Sequence, residues 1–303
     1  MPPAFRAAPV RVRVPATSAN LGPAFDCAGL ALALYDDVVV RVADQGLTVD
    51  VAGEGAERVP RTERHLVVAA LRAAFDVLGG QPRGLEVVCA NRIPHARGLG
   101  SSAAAIVSAV VAARALVLGG EERLDAEAAL ALATSIEGHP DNVAACLRGG
   151  LTLAWTTDDG PGAVRLDPSA DLAPVVFVPA TTSSTRKARS VLPEQVPHAD
   201  AAAGAARAAL LPLALTTEPG LLMEATRDWL HQGYRAGSQP RTAALVSALR
   251  EDDVPAVVSG AGPAVLALTT RAQREAVAAR RARGWTALPL DVDAGGAQVL
   301  PVR

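Results

Sequence analysis

Residues Pro94–Ala105 read Pro-His-Ala-Arg-Gly-Leu-Gly-Ser-Ser-Ala-Ala-Ala and lead into an Ala/Val/Leu stretch that stops at Gly119-Gly120. The pattern predicts a loop over Pro94–Gly100 and a long buried helix over Ser101–Leu118. Gly98 and Gly100 let the backbone approach a ligand without a Cβ in the way. The unpaired amides and dipole of the helix start favour an anion. Ser101 and Ser102 can cap the helix, bond phosphate oxygens or ligate Mg²⁺. The candidate nucleotide contacts are therefore Pro94, His95, Ala96, Arg97, Gly98, Leu99, Gly100, Ser101, Ser102 and Ala103. The plain reading is a capped helix behind a Gly-rich turn. No Lys follows Gly100, which excludes a P-loop. Gly98–Ala103 also matches a dinucleotide fingerprint, with Glu121 and Glu122 near the expected distance. However, eight residues part the preceding strand-like segment, ending at Cys89, from Gly98, and no βαβ alternation surrounds it.

The chain has 303 residues, 50% of them hydrophobic and 20% charged, enough for two modest domains or one large one. A net charge of −2 and a pI of about 6.2 provide no global basic field for nucleic acid or an anionic membrane. Of the 29 Lys and Arg residues only Lys187 is lysine, so positive charge at a site must come chiefly from arginine. Cys27, Cys89 and Cys146 form no CxxC pair and read as buried thiols of a reducing, cytoplasmic setting. The start MPPAFRAAPV lacks a charged segment followed by an apolar core, so no signal peptide is expected. Ala103–Ala113 is too short to span a bilayer.

Alternation predicts strands at Val10–Val14, Tyr35–Val42, Leu47–Val51, Leu85–Cys89 and Leu151–Thr156, with Pro15–Pro23 as a loop. Helices are expected at Leu66–Leu78 and Asp125–Ile136, the second capped by Asp125. The polar stretch Thr157–Pro174 suggests a boundary between domains at 1–160 and 161–303. Beyond it strands are expected at Val175–Val178, Ala256–Val258, Val265–Thr269 and Trp285–Val292. Helices are expected at Ala199–Leu211, Pro219–Trp229, Thr242–Arg250 and Ala272–Arg283. This order favours an α+β fold over a doubly wound sheet.

Three segments together resemble the GHMP kinase family: Pro15–Asp26 (Pro-Ala-Thr-Ser-Ala-Asn-Leu-Gly-Pro-Ala-Phe-Asp), the Gly98 loop, and Ser259–Leu266 (Ser-Gly-Ala-Gly-Pro-Ala-Val-Leu). Their order and spacing are as in the family, and the resemblance covers essentially the whole chain. Ser-Ala-Asn-Leu-Gly followed by Phe-Asp is similar to the homoserine kinase branch, as are Glu137–Val143, Ser184–Arg189 and Asp228–Arg235. Ala24 and Ala264 stand where Gly and Ser are more usual. The resemblance implies an N-terminal domain like the second domain of ribosomal protein S5 and a ferredoxin-like C-terminal domain. It implies ATP and Mg²⁺ as cofactors and L-homoserine as the acceptor, in threonine biosynthesis. It implies no nucleic-acid or membrane partner and leaves room for a homodimer.

Carried onto this sequence, the resemblance places Asp26 at the substrate ammonium, Asn20 at a polar end, and Arg189 with Arg235 at the carboxylate. Thr185, His139 and Gly262 complete the substrate contacts. Glu137, with Ser101 or Ser102, is the expected Mg²⁺ set. Asn142, Glu137 and Arg189 form the expected catalytic group, with Asn142 at the reacting hydroxyl and Asp141 a possible base beside it. Read singly, each of these residues has an ordinary role as turn-former, cap or surface charge. Two other outcomes remain: a mevalonate or shikimate type of GHMP kinase, and a catalytically silent binding protein.

Overall fold

The computed structural model describes residues 3–280 and 282–302. The first half runs β1 (Val10–Ala19), β2 (Ala28–Ala43), β3 (Gly46–Gly53), α1 (Leu66–Val77), β4 (Gly84–Asn91), α2 (Ser101–Leu116), α3 (Gly120–Arg123), α4 (Ala126–Glu137), α5 (Asp141–Arg148), β5 (Leu151–Thr157) and β6 (Gly160–Leu166). The second half runs β7 (Val175–Pro179), α6 (Thr185–Arg189), α7 (His198–Thr216), a 3₁₀ turn at Pro219–Leu221, α8 (Leu222–Ala225), α9 (Gln232–Arg235), α10 (Pro240–Glu251), β8 (Ala256–Val258), β9 (Val265–Ala267), α11 (Arg271–Ala278), β10 (Trp285–Pro289) and β11 (Gln298–Leu300).

One sheet has the order β11-β1-β2-β4-β3, with β5 joining β2 at Ala28–Leu30 and carrying β6 on its other side. β3 pairs with β4 in parallel; the other ladders among the described residues are antiparallel. The second sheet, β10-β7-β9-β8, places its strands in the order fourth, first, third, second, which is the ferredoxin-like arrangement. The class is α+β, as expected.

Periodicity explains the packing. α1 buries Val67, Leu71, Ala74 and Phe75 along one face, and Phe75 meets Phe5 edge-on at 5.6 Å. α2 is buried on nearly every side from Ala103 to Leu116, which its small residues permit. All five residues of β7 are buried. Val175 and Phe177 join a smaller core with Leu249, Val265 and Val277, whereas Val176 and Val178 join the main core.

Several expectations need correction. Pro15–Ala19 is strand, not loop; the register against β2 shifts between Pro15 and Ala16, and a bulge accommodates a residue that cannot donate to the ladder. Within Thr157–Pro174, Gly160–Leu166 is strand: it forms β6, which pairs along the whole of β5, and only then does an irregular segment lead to β7. The 160/161 boundary thus falls inside a hairpin, and β11 at the far end of the chain returns to pair with β1. The helix expected over Pro219–Trp229 breaks at Thr226, and that expected over Ala272–Arg283 ends at Ala278. Two short helices, α6 and α9, had no periodic signal.

Candidate active site

The three sequence segments converge on one cleft of about 270 Å³. Their backbones are stitched together. The Asn20 side chain donates to Gly260 O (2.9 Å) and accepts from Asp26 N (2.9 Å). Ser259 Oγ bonds both Ser18 Oγ (2.8 Å) and Gly98 O (2.6 Å). Ala264 N donates to Arg97 O at 3.1 Å. A Cβ on Gly98 would lie 2.2 Å from Ser259 O, so only glycine permits this approach. Asn20 (φ 69°), Leu21 (φ 47°) and Asp26 (φ 54°) hold left-handed backbone, strain that the surrounding bonds must maintain.

α2 starts at the cleft with Gly100 as N-cap (φ 69°), and no side chain caps it. Its first amides are therefore available to an anion. A Cβ on Gly100 would lie 1.9 Å from Thr17 Oγ1 and 3.1 Å from Asn142 Oδ1. Glycine is thus required here by packing inside the protein as well as by any phosphate outside it. Two loop residues expected at the nucleotide do not line the cleft. Arg97 donates to Pro179 O, His95 O and Ala180 O at 3.0–3.2 Å, bracing the loop against the end of β7. The Leu99 side chain is buried in the core. Ala103 is also fully buried, beneath the first helical turn, and Pro94 lines neither cavity at this helix start. Ala96, Gly98, Gly100, Ser101 and Ser102 line the cleft. His95 instead lines a neighbouring, more apolar cavity of about 280 Å³, which shares Ser101 and Ser102 and includes Val38, Pro60, Leu66, His65 and Asp36. The Asp36 carboxyl accepts from Arg92 N and Ile93 N, and burial pushes its pKa up.

Opposite the helix start, Glu137 ends α4 and accepts from Ser102 Oγ at 2.6 Å. Burial pushes its pKa up, with the Ser102 bond working against it. The segment after it is not a loop: Pro140 and Asp141 open α5, so Asn142 lies in a helical first turn. Asn142 Oδ1 accepts from Thr17 Oγ1 at 2.7 Å. Asp141 accepts from Asn142 N at 2.7 Å, and His139 Nδ1 stands 3.2 Å from Asp141 Oδ1. That carboxylate raises the His139 pKa against the pull of burial.

The other wall carries Phe25, Asp26, Thr185, Arg189, Arg235 and Gly262. Arg189, the last residue of α6, donates through both terminal nitrogens to Asp26, at 2.9 and 2.5 Å. Arg235 is no surface residue: only 2% of it is exposed. It donates to Ala188 O (3.0 Å), His231 Nδ1 (2.9 Å) and Gly260 O (3.3 Å). Thr185 is the first residue of α6, and Ser184 rather than Thr185 caps it. Gly262 (φ 80°) precedes a cis bond to Pro263.

Asn20 is therefore a staple between segments, with both ends of its carboxamide already bonded. Thr17, Phe25, Ser259 and His231 were missed. Thr17 and Phe25 lie inside the first signature segment, Pro15–Asp26, where a small hydroxyl and an aromatic beside Asp26 were the available signals.

Profiles of the GHMP kinases N terminal domain and of the GHMP kinases C terminal match residues 65–150 and 210–286. The homoserine kinases of Streptomyces avermitilis and Streptomyces coelicolor are each 62% identical over 300 residues, covering 99% of this chain and 98% and 97% of theirs. That of Clavibacter michiganensis is 54% identical over 96% of this chain and 93% of its own. Among solved structures, the homoserine kinase of Cytophaga hutchinsonii superposes with a TM-score of 0.84 at 25% identity, over 98% of both chains. The mevalonate kinase of L. major, solved with R-mevalonate, shares the fold at a TM-score of 0.68 and 18% identity, over 93% of this chain and 95% of its own. With its three signature segments joined at one cleft and these relatives matching nearly end to end, the chain belongs to the homoserine kinases of the GHMP kinase family.

Proposed function

We propose that the chain transfers the γ-phosphate of ATP to the side-chain hydroxyl of L-homoserine, giving O-phospho-L-homoserine. The observation that carries this reading is the division of one cleft: an uncapped helix N-terminus with Ser102 and Glu137 on one side, and Asp26, Arg189 and Arg235 on the other. The first half suits a polyphosphate and the second a zwitterion. The adjoining apolar cavity, which shares Ser101 and Ser102, suits the nucleotide base.

The donor set fits Mg²⁺. Glu137 is a half-buried carboxylate with a hydroxyl as its partner, and hard oxygen ligands few in number are what Mg²⁺ takes beside phosphates and water. No cluster of three or more His, Cys, Asp or Glu among the described residues could hold a metal alone, which agrees with a site completed by the nucleotide. When bound, Mg²⁺ neutralises charge on the transferring phosphoryl group. Ser101 and Ser102 remain the candidate hydroxyl ligands.

Asp26 and Arg189 neutralise one another in the structure. A homoserine zwitterion replaces each partner by its own ammonium and carboxylate, so neither side chain is left unpaired. Asn142, oriented by Thr17 and by the α5 start, holds the hydroxyl in line. Its carboxamide is no base; the hydroxyl proton passes to a phosphate oxygen. The α2 amides stabilise charge on the transferred group.

A coupled assay of ADP release tests the reading, with homoserine expected to stimulate turnover far above mevalonate, shikimate or no acceptor. Glu137→Gln should fold normally, lower kcat by about 10²-fold or more and raise the Mg²⁺ concentration needed for half-maximal rate. No homoserine-dependent ADP release from the folded wild type would overturn the function. An unaltered Mg²⁺ dependence in Glu137→Gln would remove Glu137 from the metal set.

A further inference from the structure

Arg235 forms half of the proposed carboxylate clamp, yet it is almost wholly buried, and a buried guanidinium needs something to aim it. Three of its hydrogen bonds do so: Nε donates to Ala188 O, and Nη1 to His231 Nδ1 and Gly260 O. Nη2 has no partner among the described residues, and Arg235 lines the cleft. Arginine can only donate, so the bond to His231 Nδ1 requires a lone pair on that nitrogen. The proton of the ring must then sit on Nε2, which lies 2.8 Å from Gly22 O and donates to it. The hydrogen-bond pattern therefore defines one neutral tautomer. Gly22 belongs to the first signature segment, so this ring ties that segment to α9.

The ring makes a further contact. His231 stacks on Phe25 with centroids 5.2 Å apart and planes at 34°. Over the same Phe25 ring lie the guanidinium carbons of Arg189 at 5.3 Å and Arg235 at 5.4 Å. Two cations share one aromatic ring, and the histidine is in contact with both that ring and one of the cations. Asp228 holds the histidine's backbone in place: its carboxylate accepts from Leu230 N, His231 N and Gln232 N at 2.6–3.1 Å.

We infer that His231 and Phe25 are positioning residues for substrate selection. His231 aims Arg235 through its Nδ1 lone pair, and the Phe25 ring spaces Arg235 from Arg189 so that both reach one carboxylate. This inference rests on the proposed function and refines it to the group that determines the carboxylate geometry. Neither residue need touch the transferring phosphoryl group.

The test is kinetic. His231→Phe keeps the ring and its stacking but removes both hydrogen bonds; His231→Gln retains an acceptor and a donor. Phe25→Leu keeps apolar bulk at the cleft wall and removes the π face. Each is assayed with homoserine and with 3-amino-1-propanol, which has the hydroxyl and ammonium but no carboxylate. His231→Phe and Phe25→Leu should raise KM for homoserine by about tenfold or more, on the scale of misplacing one partner of a charge pair. KM for ATP should change by less than about twofold, as should kcat/KM for the aminoalcohol. His231→Gln should recover part of the loss. An unchanged homoserine KM in either folded variant, or equal losses for ATP and both acceptors, would overturn the inference. If His231→Phe does not fold, Phe25→Leu decides by the same split, and an unchanged homoserine KM there overturns the inference. A wild type inactive with homoserine would instead sink the functional reading, which separates the two failures.

Discussion

Gly100, Asn20 and Arg97 each ended in a role set by neighbours distant in sequence. Gly100, at the start of α2, is hemmed in by Thr17 of β1, 83 positions earlier, and Arg97 spends its guanidinium on carbonyls at the end of β7. Residue types legible from motif spacing, such as Asp26, Glu137, Asn142 and Arg189, did meet in one cleft. Their partners could not be read, because a hydrogen bond between residues 35, 125 or 163 positions apart leaves no local trace. A buried histidine offers a test at this scale. His65 is 5% exposed, its Nδ1 has no partner among the described residues, and burial, then the charge of His95, lowers its pKa below the ordinary 6.5. The unfolded chain takes up this proton at higher pH than the folded one does. Stability should therefore fall as pH drops below about 6.5, and His65→Gln should lose less over that range. Thermal melts of both proteins from about pH 7.5 to 5 measure this. A stability gap that stays constant with pH would show that His65 contributes nothing to the dependence.

Among the elements, the helices α1, α2 and α4 were legible from apolar spacing, composition and their flanking glycines or cap, whereas of the long strands only Val10–Val14 of β1 and Tyr35–Val42 of β2 were. The short helices were not. α9 has four residues and is held by the Asp228 carboxylate, and α6 has five and is capped by Ser184. Too few turns exist for periodicity, so only capping and tertiary contact stabilise them. α5 was hidden because its opening, Asp141-Asn142, carries site residues that read as loop. α4 matters beyond its length, since Glu137 is its last residue. Its N-cap, Asp125, accepts from Ala128 N at 2.8 Å. Asp125→Ala should cost about 1 kcal/mol of unfolding free energy, read from the urea midpoint at unchanged slope. A midpoint within error of wild type would mean the cap adds nothing to this helix.

Across the whole molecule, the chain closes on itself. β11 pairs Gln298–Leu300 with Arg11–Arg13 of β1, and Asp293 accepts from Tyr35 OH at 2.9 Å and from Gly295 N and Gly296 N. Tyr35 is pushed up to about 12 by burial and by that carboxylate. A chain ending at Ala297 should lose about 1–3 kcal/mol and expose the β1 edge, lowering the Tm and promoting association. Melting and sedimentation of the truncated protein check this, and an unchanged Tm would show β11 to be dispensable. None of this closure was visible in a segment of three residues at the far end of the chain. The sequence by itself determined the α+β class, the glycine-led helix start and the family, because periodicity, glycine placement and ordered motifs are local properties. Only the tertiary structure decided that Asp26 neutralises Arg189, that His231 aims Arg235 and that the last strand belongs to the first sheet. These depend on which distant side chains meet at hydrogen-bond distance, and that is settled by the packing of whole domains.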